Sequence, residues 1–98
     1  MAQFHAYRLA DGRWLLDLQT DLIDTGTRVV APLIPLGQGP QPIARLEPIL
    51  TIGGTDHALH TAEMAAVPSG LLSGRPAVDL SARDYDIRRA LDMVFSGF

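Results

Sequence analysis

Three groups of side chains in this sequence have the types and spacing to do chemistry: the imidazoles His5, His57 and His60, the carboxylates Asp17, Asp21 and Asp24, and the guanidinia Arg83, Arg88 and Arg89. On a strand, the spacing of His57 and His60 sends the two rings to opposite faces. On a helix they would share a face, and Asp56 beside them would complete a zinc-like set. The strand reading is favoured, so no metal and no cofactor are expected. The three aspartates lie near a predicted strand end, where carboxylates cap turns or face solvent; a cation or a basic partner is the alternative. The arginines read as a solvated helix face or as anchors for an anion or a protein, since the planar guanidinium makes several directed hydrogen bonds. No G-x-S-x-G, H-E-x-x-H, C-x-x-C or G-x-x-x-x-G-K-[ST] pattern marks a nucleophile, a metal or a phosphate loop. Gly37-Gln38-Gly39 and Gly53-Gly54 are turn glycines. No catalytic residue is assigned, and an enzyme is not expected.

The elements that must carry these groups begin with a hairpin, residues 3–9 and 13–18 around the turn Asp11-Gly12. Residues 19–26 form a structured loop or a very short strand. Residues 28–31 predict a strand that meets an edge, a bulge or a bend near Pro32, because neither Pro32 nor Pro35 can donate to a ladder. A loop at 36–42 leads to a second hairpin, 45–52 and 57–61, around a turn at 53–56. Residues 61–66 suggest one helical turn that Pro68 stops, and 69–75 a loop. A C-terminal helix starts at Ser81, whose spacing to Asp84 is that of an acidic capping box. Its apolar stripe is Ile87, Leu91, Val94 and Phe98, with Phe95 at the margin. Tyr85, Arg88, Arg89, Asp92 and Ser96 lie opposite, with Arg88 and Asp92 at ion-pair spacing.

Ninety-eight residues make one domain, 1–98, with a modest core. A composition 47% hydrophobic and 19% charged is too apolar for a disordered tail. The formal charge of −3 disfavours direct nucleic-acid binding. With no cysteine, no basic leader and no uninterrupted apolar run of membrane-spanning length, the expectation is a cytoplasmic protein without a membrane partner.

A family resemblance sharpens these expectations. Gln3-Phe4, the run from Asp17 to Thr25, Val30-Ala31-Pro32-Leu33, Ile52-Gly53, the run from Glu63 to Pro68, Asp79-Leu80-Ser81 and Asp86-Ile87 resemble, in order and spacing, the CcdB toxins of plasmid and chromosomal toxin–antitoxin systems. The resemblance implies a mainly β fold, a small antiparallel SH3-like barrel of about five strands with a C-terminal α-helix. It implies a homodimer that engages the DNA gyrase A subunit, traps the gyrase–DNA cleavage complex and is neutralised by a CcdA-like antitoxin. The implied gyrase-binding positions are Ser81, Asp84, Tyr85, Arg89, Asp92, Ser96, Gly97 and Phe98, and the implied dimer contacts include Ile23 and Met93. The family pattern ends in Trp-Gly-Ile, whereas this chain ends Ser96-Gly97-Phe98, and Tyr85, Arg89 and Asp92 stand where the pattern has Asn. Two alternatives remain open. One is a MazF-like endoribonuclease, with His57, His60 and Arg28 as the candidate groups if the fold gathers them; the other is a homologue that binds antitoxin without poisoning gyrase.

Overall fold

Asp11 and Gly12 turn the chain between β1 (His5–Arg8) and β2 (Trp14–Asp17), which pair antiparallel with Ala6 opposite Leu16. A computed structural model describes residues 2–97. The next strands are β3 (Thr27–Pro35), β4 (Ile49–Ile52), β5 (Thr55–Leu59), β6 (Ala65–Pro68) and β7 (Ala77–Asp79), and the helix α1 (Asp84–Ser96) closes the chain. The sheet runs β4-β5-β3-β2-β1-β7, with β6 paired to the first half of β3. All its pairings are antiparallel, and its end strands β4 and β7 are not bonded to each other, so it curls into a half-barrel. The mainly β class with one C-terminal helix is therefore as expected, but seven strands replace about five.

Strand alternation decides what is buried. Ala6, Leu16 and Ala31 face each other across β1, β2 and β3, and with Leu33, Leu50, Ile52 and Leu59 they line the main core. Ile87 of α1 closes that core from one side. On the opposite face Tyr7, Leu9 and Val30 pack with Leu72 of the segment after β6. A β-strand buried on one face only would alternate with polar residues; here both faces of β3 are largely covered, which is why Arg28–Leu36 reads as a nearly continuous apolar run.

Pro32 does not end β3, contrary to expectation; the strand runs on to Pro35. In an antiparallel ladder each residue sends both its N–H and its C=O toward one neighbouring strand. The carbonyl of Pro32 accepts from His60 N–H at 2.9 Å, so its missing N–H faces the same side, where β3 changes partner from β6 to β5. Pro35 turns its nitrogen the other way, beyond the end of β2. Each missing donor thus falls where no carbonyl waits for it.

Further boundaries differ from the sequence reading. The second hairpin turns on Gly53 and Gly54 alone, both at positive φ (57° and 80°), the two-residue geometry that matches strand twist. Residues 45–48 are loop rather than strand: Arg45 sits at φ 69°, and the Glu47 carboxylate folds back to accept the Ile43 N–H at 2.9 Å. The expected helical turn near 61–66 is a 3-10 turn, Thr61–Glu63, followed at once by β6. Ser81 does not cap a helix with its side chain. Residues Ser81–Arg83 form a 3-10 turn instead, and the Asp79 carboxylate accepts the Ser81 N–H at 2.8 Å. Within α1 the fully buried positions are Ile87 and Ala90; Leu91 is half-buried and Phe95 lies in solvent.

Candidate functional site

At 100° per residue, Tyr85, Arg89, Asp92 and Ser96 fall within about 60° of one another. The structure exposes all four, on the side of α1 away from Ile87 and Ala90. Tyr85 is 69% exposed, and the Arg89 guanidinium carbon lies 5.6 Å from its ring centroid, a cation–π pair displayed to solvent. Phe95, 74% exposed, adds a second bare ring near the end of the same helix. Gly97 stops the helix at φ 80° and donates its N–H to the Met93 carbonyl at 2.9 Å. Phe98 lies outside the described residues.

The other helix charges are engaged. Arg88 pairs with Asp84 at 3.9 Å rather than with Asp92, and stacks 4.9 Å above the Phe4 ring. Arg83 bonds Asp86 through two nitrogens, at 2.9 and 3.2 Å. Just before the helix, Asp79 is held below its ordinary carboxyl range, first by the Ser81 hydroxyl and then by the Ser81 backbone N–H. Ser81 itself is exposed at this entrance. Of the implied gyrase positions, Tyr85, Arg89, Asp92 and Ser96 form one surface; Asp84 lies to one side of it, Ser81 precedes it and Gly97 follows it.

A second exposed feature is the loop 18–26. Leu22 is 94% exposed and Ile23 51%, while Met93 is half-buried. What holds this loop is a buried polar network that the sequence reading missed. Arg28 Nε donates to Asp17 Oδ2 at 2.9 Å, and its Nη2 donates to the Gln19 carbonyl at 2.9 Å and to Asp21 at 3.1 Å. The Gln19 side chain ties both ends of the loop, accepting Val29 N–H and donating to the Ile23 carbonyl. The basic partner of Asp17 and Asp21 is therefore a residue of the same chain. Burial works against the Arg28 cation, but the hydrogen bonds and charges of Asp17 and Asp21 outweigh it and raise its proton affinity above the ordinary value. A pair of opposite charges bracketing an apolar dipeptide was the available signal.

The groups named for RNA cleavage are not assembled. His57 faces Pro35 across the ladder, seven positions along β3 from Arg28, which is about 23 Å at 3.3 Å per residue. Its Nδ1 is bonded to the Thr55 carbonyl at 2.9 Å. His60 is also buried, with Nδ1 between Glu47 at 2.9 Å and Glu63 at 3.1 Å. Among the described residues no group of three or more His, Cys, Asp or Glu has the geometry to hold a metal ion, and no helix is long and apolar enough to cross a membrane.

A groove of about 450 Å³ lies between α1 and the loop before β4, lined by Arg45, Glu47, Pro48, Ile49, Arg83, Asp86 and Arg89 among others. One comparison with known proteins bears on the whole chain: the family model described as CcdB protein matches residues 3–97.

Proposed function

This chain belongs to the CcdB family, a family of toxins of toxin–antitoxin systems, and from that premise we propose that it acts as a non-catalytic toxin directed at the DNA gyrase A subunit. The observation that carries the reading is the Tyr85–Arg89 stack, presented on the outer face of a helix whose inner face is anchored by Ile87 and Ala90. Aromatic and arginine side chains are the residues that most often dominate protein interfaces. An already stacked pair loses little further rotamer freedom on binding.

In this proposal Ser81, Asp84, Tyr85, Arg89, Asp92, Ser96, Gly97 and Phe98 contribute the gyrase surface, and the bound toxin traps the cleaved gyrase–DNA complex. A cytoplasmic CcdA-like antitoxin relieves it. A homodimer completes the proposal, with Ile23 and Met93 among its contacts; the exposure of Leu22 and Ile23 on a rigidly tethered loop supports a protein–protein role for that region. The experiment is a supercoiling and cleavage-complex assay with purified gyrase, run beside a single-stranded RNA cleavage assay.

One observation favours a second reading. Ser96 is exposed where the family pattern places its stacking Trp, and loss of an aromatic anchor commonly costs about 2 kcal/mol or more, roughly thirtyfold in affinity. A folded protein that binds antitoxin but leaves gyrase untouched is the consequence of that loss if no other ring replaces it.

A further inference from the structure

β3 runs past the start of β2 by Ile34 and Pro35, and a cavity of about 700 Å³ opens beside this overhang. Strand register builds one wall of it. Trp14 stands opposite Leu33 and His57 opposite Pro35, and residues two apart on a strand share a face, so Trp14, Leu33, Pro35 and His57 lie side by side. All four line the cavity, and Trp14 is only half-buried. The wall is apolar and partly aromatic, with one imidazole set into it.

That imidazole has a defined polarity. His57 is 4% exposed, and its Nδ1 lies 2.9 Å from the Thr55 carbonyl. A carbonyl oxygen only accepts, so Nδ1 carries the proton and Nε2 of the neutral ring is a bare acceptor. Nε2 has no partner among the described residues. No enclosed side-chain nitrogen or oxygen among them lacks one, so Nε2 is open, and the ring lines this cavity. The charges around it are unequal. Asp11 and Arg13 neutralise each other at 2.7 Å, which leaves Glu63. Glu63 shares His60 Nδ1 with Glu47, and one imidazole, whatever its charge, leaves two carboxylates net negative. Glu47 makes the shorter contact and is largely enclosed, so Glu63, its side chain 62% exposed, brings the surplus charge to the cavity.

We propose that this cavity binds a small organic cation, an amidinium or guanidinium on a flat apolar body, with an N–H donated to His57 Nε2, the charge on Glu63 and the body against Trp14 and Pro35. An apolar wall with a few convergent polar groups is the general form of a small-molecule site. A cation gains further from the face of an indole, and charged donors make the stronger hydrogen bonds. An anion of the same size would meet the Glu63 carboxylate and the His57 lone pair, so the same groups reject it. These residues are separate from the Tyr85–Arg89 surface of α1, and the inference does not depend on gyrase as the target.

The test uses the intact protein and benzamidine as the probe, with benzoate and phenyltrimethylammonium beside it. Trp14 is the single tryptophan of the chain, so its fluorescence reports on the cavity directly. Benzamidine should change the emission saturably at about 1 mM, the affinity that a ligand of this size reaches, and should shift the His57 ring signals in NMR spectra. Benzoate should do neither. Phenyltrimethylammonium, a cation without an N–H, should bind severalfold more weakly. Glu63→Gln, at an exposed side chain, should leave the fold intact and reduce benzamidine affinity about tenfold. Benzamidine that causes no saturable change overturns the proposal, as does equal binding of benzoate or of phenyltrimethylammonium. Affinity unchanged by Glu63→Gln, or binding that leaves the His57 signals unmoved, overturns it as well.

Discussion

Arg28 and Asp17 form an ion pair inside the protein, Nη2 to Oδ2 2.8 Å apart with neither side chain more than 8% exposed. Because Asp17 ends β2 and Arg28 lies on β3, the pair clamps the two ends of the loop that displays Leu22 and Ile23. Removing one member leaves a buried charge without compensation.

Arg28→Ala should accordingly destabilise the fold by about 3–5 kcal/mol, measured by chemical denaturation. A change under about 1 kcal/mol would show that the clamp is dispensable. The effect should be flat with pH across the neutral range: the Arg28 proton affinity is raised on folding, so its contribution is complete below the ordinary guanidinium value and is lost only at still higher pH.

Asp79 gives the opposite sign. Its folded-state pKa lies below 3.8, so the stability it contributes is present above that value and is lost as pH falls through the lower one. Carboxyl NMR titration should find Asp79 ionised at pH 4, and Ser81→Ala should move its midpoint upward. An unchanged midpoint would remove the hydroxyl as the main cause.

Within α1, Ile87→Ala should cost about 2–5 kcal/mol through lost burial and a cavity, and Leu91→Ala distinctly less, because Ile87 is fully enclosed while Leu91 only borders the core. Equal losses, or a larger one at Leu91, would contradict the way the helix is seated.

What the sequence made legible, and what it hid, follows from the range of the interactions involved. Asp11-Gly12 and Gly53-Gly54 announced their hairpins because a turn is decided by its own residues. The 3.6-residue periodicity of α1 likewise showed Tyr85, Arg89, Asp92 and Ser96 as one face. Pro32 misled because its tolerance depends on a partner change between β5 and β6, strands far away in the chain. The Arg28 network was hidden for a similar reason: eleven positions separate it from Asp17, and only the sheet brings them together. Ala90 escaped notice as a core residue since a methyl adds little to an apolar stripe. β7 is three residues long and has no pattern of its own.

The helix surface makes its own prediction. Tyr85→Ala and Arg89→Ala should each weaken binding of the gyrase A subunit about thirtyfold or more while leaving the melting temperature nearly unchanged, because both side chains are exposed. Ser96→Trp should strengthen binding by restoring a ring beside them. Calorimetric isotherms for the three variants decide it, and unchanged affinity in all three places the gyrase contact elsewhere.

The most direct measurement of the central claim is the accumulation of covalent gyrase–DNA cleavage complex when the folded wild-type protein is added to gyrase and supercoiled plasmid. The account predicts that the complex accumulates in proportion to toxin, disappears when Arg89→Ala replaces the wild type, and is accompanied by no cleavage of single-stranded RNA. Folded protein that leaves gyrase religation unaffected, or that cuts RNA in a manner abolished by His57→Ala, would contradict it.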